Sequence, residues 1–260
     1  MKATMDDPQR FLDVALEAVK KAEPIFLSTF GKATGIEHKE DARKSRVTDT
    51  DRELEKLIIN CVLSQFPEHS IVAEESAARK GSEYVWYIDP IDGTTNFIRG
   101  IPHCSISIAL WDAHGPLIGV VADPVRQNIF TAIRGRGAFQ NDRRIGVSTT
   151  GLLKQAVGNL GWDWSDHESQ RVLLEAMRRN TYRFRVFSGS ALELCYVAAG
   201  QLDFFVSLSI HNWDFAAAAL MVTEAGGTIT EKDGRLLRAS SSSLVATNGK
   251  LQGALIAALT

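Results

Sequence analysis

The segment Trp86-Tyr87-Ile88-Asp89-Pro90-Ile91-Asp92-Gly93-Thr94-Thr95-Asn96-Phe97 carries the densest chemistry in the sequence. An apolar run delivers Asp89 at its end. Pro90 cannot continue a strand ladder, so the spacing predicts a turn there. Asp89 and Asp92 lie three residues apart around that turn and can converge on one point. Gly93 and Thr94 follow where a helix can start, and the free N–H groups of a helix start bind anions. Carboxylates beside an anion site need a cation between them, because bare carboxylates repel a phosphate. Oxygen ligands with no cysteine or histidine cluster favour Mg²⁺ or Mn²⁺ over Zn²⁺. The competing reading is plain turn chemistry, since Asp-Pro and Asp-Gly are common turn formers.

Three further acidic stretches bear on that choice. Glu74 and Glu75 end the short apolar run Ile71-Val72-Ala73; alone they would read as a solvated strand end. Asp214 precedes Phe215-Ala216-Ala217-Ala218-Ala219-Leu220, a helix start, so it is a cap, a first-turn residue or a metal ligand. Val47-Thr48-Asp49-Thr50-Asp51 opens another helix, where Asp49 with Glu53 could serve as capping residues without any catalysis.

The elements that must position these groups can be read from periodicity. Phe11, Leu12, Ala15, Ala18 and Val19 mark a first helix with Pro8 near its start and Gly31 near its end, and Pro24 should break or kink it. Residues 32–46 read as a loop or hairpin. Leu54, Leu57, Ile58, Cys61, Val62 and Phe66 give a second helix, stopped by Pro67. Short apolar runs follow at 71–73, 84–88, 104–112, 117–123 and 128–134, with turn signals between them, and suggest an antiparallel sheet. Beyond about residue 150 strands (156–160, 183–187, 203–207, 228–230, 244–247) alternate with helices (167–179, 189–200, 214–225, 250–258). The order predicts an α/β (α+β) protein of stacked helix and sheet layers in two sub-structures, 1–150 and 151–260, with the acidic residues divided between them.

The 260 residues carry 29 Lys+Arg and 31 Asp+Glu, a net charge of −2. That balance gives no electrostatic reason for non-specific binding to nucleic acid or membrane. A 45% hydrophobic and 23% charged composition is that of a folded globule. The longest apolar run, Phe215 to Val222, is far below the ~18 residues that span a bilayer. MKATMDDPQR lacks the apolar core of a secretory signal, and Cys61, Cys104 and Cys195 are too scattered for a zinc site or disulfide framework. A cytoplasmic location is the expectation.

DPIDGTTNF at 89–97, VTDTD at 47–51, VAEES at 72–76, GRGAFQNDRRIGVS at 135–148 and WDFAAAALMVTEAGG at 213–227 together resemble the inositol monophosphatase family, in order and over nearly the whole chain. The resemblance implies a Mg²⁺-dependent, lithium-sensitive phosphomonoesterase with a layered α/β/α/β/α sandwich, often dimeric. It implies that Glu74, Asp89 and the Ile91 carbonyl hold a first ion, and that Asp89, Asp92 and Asp214 hold a second. Asp51, Thr94 and Glu74 would be the catalytic set. Asp51 and Thr94 would polarise the attacking water, and Glu74 would help a weakly held third ion. The Gly93 and Thr94 N–H groups would receive phosphate oxygens.

For the substrate pocket the resemblance points to Ser190, Ala191, Glu193 and Ser207. Inositol-specific members usually carry Glu at the position of Ser207, which is a departure here. Glu193 could equally lie on the polar face of its helix. Arg183 and Arg185 share a strand face directed to solvent or a dimer partner. Lys39 or Lys44 corresponds to a lysine near the phosphate; His211 fits a structural hydrogen bond better than metal ligation, and Trp162 and Trp164 are either a lip over the site or packing residues. The implied activity is hydrolysis of a small phosphate monoester, with inositol-1-phosphate first. Histidinol phosphate, fructose 1,6-bisphosphate and 3′-phosphoadenosine phosphate are alternatives. An RNA-associated regulatory protein on the same scaffold is the reading from another class.

Overall fold

The apolar stripe of the first helix buries Phe11, Leu12, Ala15, Ala18, Val19, Ala22 and Phe26 in the computed structural model, which describes residues 7–38, 46–162 and 166–259. That helix, α1, runs from Pro8 to Thr29 and is not broken at Pro24. Pro24 forfeits one backbone bond, but burial continues beyond it through Phe26 and holds the last turn in place. Two short strands, β1 (Glu37–His38) and β2 (Arg46–Val47), pair antiparallel. The residues linking them, Lys39 and Lys44 included, lie outside the described residues, as does Trp164.

Helix α2 (Asp49–Gln65) starts with a capping box between Thr48 and Asp51, so these two, and not Asp49 with Glu53, cap the helix. The next segment builds β3 (Ser70–Ala73), β4 (Val85–Asp92), the short helix α3 (Thr94–Arg99), β5 (Ser105–Asp112), β6 (Gly115–Asp123), β7 (Asn128–Ile133), β8 (Gly137–Gln140) and β9 (Arg143–Arg144). These seven strands form one sheet in sequence order, antiparallel except for the parallel β3–β4 pair. Then come β10 (Val157–Leu160), α4 (His167–Asn180), β11 (Arg183–Arg185), α5 (Ser190–Ala198), β12 (Phe204–Ser207), α6 (Asn212–Glu224), β13 (Thr228–Thr230), β14 (Leu244–Thr247) and α7 (Gln252–Leu259). Their five strands form a mixed sheet in the order β11-β10-β12-β14-β13.

Strand alternation assigns the layers. Trp86, Ile88, Ile106, Ile108 and Val120 pack against α1 and α2. Tyr87, Ala109, Trp111 and Val121, on the opposite face, pack against α5 and α6. The second sheet presents Phe205, Leu244 and Ala246 to the same two helices, and Phe204, Val206 and Val245 to α4 and α7. The result is an α/β/α/β/α sandwich in which α5 and α6, hydrophobic nearly all round, fill the middle layer.

Candidate active site

Strand β4 continues through Pro90 instead of turning at it. Asp89 pairs with Ser107 and Asp92 with Ser105, so β4 advances three residues where β5 advances two. That extra residue is a β-bulge, and it tolerates the missing N–H of Pro90. It also decides the chemistry. In a regular strand Asp89 and Asp92 would face opposite sides. The bulge turns both toward the middle layer, where α6 brings Asp214. One carboxylate oxygen from each of Asp89, Asp92 and Asp214 lies within 4.8 Å of the others.

Each acid is held by its backbone surroundings. Asp89, 1% exposed, accepts the Ile91 N–H at 3.0 Å. Asp92 accepts the Ser190 N–H at 3.1 Å on Oδ1 and the Ala191 N–H at 2.8 Å on Oδ2, so the first turn of α5 grips it. Asp214, in the first turn of α6, accepts the His211 N–H at 2.9 Å. It is thus a capping residue and a member of the cluster at once. Glu74 joins from β3. Ala73 pairs with Ile88 in parallel register and the Glu74 N–H donates to the Ile88 carbonyl at 3.2 Å, which sets Glu74 beside Asp89.

Bringing four carboxylates together, with Asp89 and Asp92 buried and Glu74 and Asp214 half-buried, has an electrostatic consequence. Burial, and then the charges of Glu74, Asp92 and Asp214, push Asp89 well above the usual Asp range. Asp92 is pushed up to about 7, mainly by burial and then by Glu193, against the stabilising Ala191 N–H. Converging oxygen donors that resist ionisation together are what a hard divalent cation relieves, and Mg²⁺ or Mn²⁺ suits a set without cysteine or histidine.

Asp51 lies on the α2 side of this cluster. It is fully buried, accepts the Thr48 N–H at 2.8 Å and the Thr48 hydroxyl on Oδ2, and faces the Thr94 hydroxyl at 3.3 Å with Oδ1. Burial pushes it up to about 6, opposed by the Thr48 bonds. Thr94 Oγ1 is also 3.0 Å from the Ile91 carbonyl. A hydroxyl has one proton, so donation to Asp51 leaves the Ile91 oxygen open to another partner. Gly93 precedes α3 with φ of +85°, and a Cβ there would meet the His103 and Ser188 carbonyls at 2.9 and 3.0 Å. Only glycine lets α3 start so close to the loop that leads into α5.

The remaining expected residues divide. Ser190 and Ala191 touch the cluster through their backbone N–H groups. Glu193 does not sit on a polar helix face: it is fully buried, accepts the Gly189 N–H at 3.1 Å and lies 3.6 Å from His103 Nε2. Ser207, 2% exposed, turns its hydroxyl to the Ser209 carbonyl at 2.8 Å. Arg183 and Arg185 are exposed on the edge strand β11. His211 stacks on Trp213 with ring centroids 4.7 Å apart, and Trp162 is half-buried after β10.

Three residues were not expected. The Asn96 amide reaches the carbonyls of His103 (2.8 Å), Phe187 (2.7 Å) and Ser188 (3.1 Å), tying α3 to the loop before α5. His103 is buried against Glu193 and Phe187. Glu55 is 3% exposed and accepts the Glu75 N–H at 2.7 Å. The signal for Glu55 was legible: it lies in the heptad of Leu54 and Ile58, where a charge interrupts the buried stripe.

The family model for the inositol monophosphatase family matches residues 7–260. A fructose-1,6-bisphosphatase/inositol-1-monophosphatase of Thermotoga maritima is 37% identical over 238 residues, 92% of this chain and 91% of that protein. The Nus factor SuhB of Pasteurella multocida is 35% identical over 240 residues, 90% of each chain. The solved structure of a Thermotoga maritima IMPase superposes with a TM-score of 0.90 at 34% identity, covering 96% of each chain.

Proposed function

The chain belongs to the inositol monophosphatase family and is a phosphoric monoester hydrolase, and from that premise we propose that it hydrolyses inositol-1-phosphate at the Asp89–Asp92–Asp214 cluster. The family is Mg²⁺-dependent. In this reading Glu74, Asp89 and the Ile91 carbonyl hold one ion, Asp89, Asp92 and Asp214 a second, and Glu74 helps a weakly held third; Mn²⁺ can substitute. An ion held by these residues would supply charge neutralisation for the phosphate and would lower the pKa of water toward neutrality.

The protein's own groups do the positioning. Thr94 Oγ1 accepts a hydrogen bond from the attacking water while donating its proton to Asp51, 3.3 Å away, so the water lone pair is aimed at phosphorus. The Gly93 and Thr94 N–H groups take phosphate oxygens, and their fixed dipoles need no reorganisation as charge builds. The α5 N-terminus keeps both Asp92 oxygens in place. Ser190, Ala191, Glu193 and Ser207 lie on the elements that face the alcohol part of the substrate. Ser207 offers no charge to a polyol, which makes histidinol phosphate, fructose 1,6-bisphosphate and 3′-phosphoadenosine phosphate the comparisons that matter.

One observation carries the reading: three carboxylate oxygens within 4.8 Å of one another, in the fold of a phosphatase family. Phosphate release from those four compounds, with purified protein and MgCl₂, tests it. Fastest release from inositol-1-phosphate supports the substrate; release from none of the four refutes the enzymatic reading. The relative named as a Nus factor gives a second, RNA-associated role its support, and RNA binding by a catalytically silent protein would be its outcome. We place a homodimer contact on the exposed β11 edge, to be checked by the solution mass of Arg185→Glu against wild type. A cytoplasmic location accords with three unpaired thiols; among the described residues no helix is long and apolar enough to cross a membrane.

A further inference from the structure

We infer that Glu55 is a positioning residue: through the Glu75 N–H it fixes the backbone from which Glu74 reaches the metal cluster. The inference rests on the reading of Glu74 as an ion ligand. Chain geometry supplies the argument. The Glu74 N–H donates to the Ile88 carbonyl at 3.2 Å, which fixes the peptide plane before the Glu74 Cα. The Glu75 N–H donates to Glu55 Oε2 at 2.7 Å, which fixes the plane after it. With both planes held, φ and ψ of Glu74 are set and so is the direction of its Cα–Cβ bond. The chain leaves β3 at Ala73 and regains backbone pairing to this strand at Arg79, through Ile71, so the β-ladder itself does not hold the second plane.

The donor of this support is α2, the helix that also carries Asp51. Asp51 and Glu55 are four residues apart on one face of that helix, and both are buried. An apolar side chain between Leu54 and Ile58 would pack there without the desolvation cost of a carboxylate. What glutamate adds is an acceptor at the loop. One rigid helix thereby references two parts of the site to each other: the Asp51–Thr94 pair and the Glu74 backbone.

Isothermal titration of the full chain with MgCl₂ tests this, alongside melting curves and steady-state kinetics at saturating Mg²⁺. Glu55→Met keeps the volume and removes the acceptor; Glu55→Asp keeps the charge but retracts it from the Glu75 N–H; Glu55→Gln keeps an acceptor oxygen. The expected result is Mg²⁺ affinity lowered ~10–100-fold in Glu55→Met and Glu55→Asp, within about 3-fold of wild type in Glu55→Gln, and a KM for phosphate ester at saturating Mg²⁺ changed less than about 2-fold. If Glu55→Met does not fold, Glu55→Asp and Glu55→Gln still separate reach from charge. A folded Glu55→Asp that binds Mg²⁺ as wild type does overturns the inference, as does Glu55→Gln losing as much affinity as Glu55→Asp. Wild type that takes up no Mg²⁺ overturns the reading of Glu74 and this inference with it.

Discussion

Replacing Asp51 with asparagine should stabilise the metal-free protein and at the same time disable it. Asparagine keeps every hydrogen bond the site offers. Its oxygen can accept from the Thr48 N–H and hydroxyl, as Asp51 Oδ2 does. Its NH₂ then faces Thr94 Oγ1, which accepts and turns its own proton to the Ile91 carbonyl, 3.0 Å away. What disappears is a buried charge. Burial raises Asp51 from 3.8 to about 6. A carboxyl whose folded pKa lies above its unfolded value binds protons on folding, so it opposes folding increasingly as pH rises through that interval. The cost is absent below about pH 4 and complete above about pH 6. Two pKa units correspond to roughly 3 kcal/mol at full ionisation.

Asp51→Asn should therefore melt above wild type in EDTA at pH 8, by ~6–12 °C at ~2–4 °C per kcal/mol, with the difference shrinking toward zero by pH 4. Turnover should fall ~10²–10⁴-fold, because the amide can no longer draw the Thr94 proton away from the Ile91 carbonyl. Differential scanning calorimetry at pH 4, 6 and 8, with phosphate release on the same samples, reads both effects. A variant less stable than wild type by the same amount at every pH would show that Asp51 serves as a helix cap alone. Wild-type turnover would remove it from catalysis.

Asp92→Asn leaves one of the two α5 N–H groups facing an NH₂ and removes a ligand charge; turnover should drop by ~10³-fold or more in a folded protein, measured by phosphate release and circular dichroism. Mg²⁺ affinity should strengthen as pH rises through about 7, since Asp92 is raised to about 7 and Asp89 is also raised well above the usual Asp range, and calorimetry in buffers of different ionisation enthalpy should register proton release on binding. Gly93→Ala combines a left-handed φ of +85° with a Cβ 2.9 Å from the His103 carbonyl; a stability loss of at least ~2 kcal/mol in urea melts and loss of turnover are expected.

Much of the site was legible in the chain because its chemistry is written in short segments. DPIDGTT places two acids, the α3 start and the hydroxyl within seven residues, and the periodic stripes of α1 and α2 locate the helix layer they form. The absence of a break at Pro24 and of a turn at Pro90 has one physical reason. Proline's local penalty is offset by its surroundings: by the burial that carries α1 onward to Phe26, and by the bulge that spares β4 the missing N–H. Glu193 was ambiguous because a helix face is polar or buried only with respect to what packs on it, and α5 is covered by both sheets. Ser190 and Ala191 were expected on the substrate side, but their role toward Asp92 is carried by backbone N–H groups, which no side-chain identity announces.

The sequence by itself pointed to carboxylates suited to a hard cation and to stacked helix and sheet layers, because these follow from side-chain chemistry and periodicity; the α/β/α/β/α order is what the family resemblance implies, and β8 and β9 carry no periodic signal that announces them. Tertiary structure alone decided which oxygens meet. Glu74 reaches Asp89 by a parallel register, Asp92 turns to Asp89's side by one inserted residue, and Asp214 arrives more than 100 residues later on α6. It also decided the protonation of the site. Burial and mutual repulsion, not residue type, raise Asp51, Asp89 and Asp92 above the usual carboxylate range, and both are properties of distance and solvent exclusion that exist only once the layers have closed.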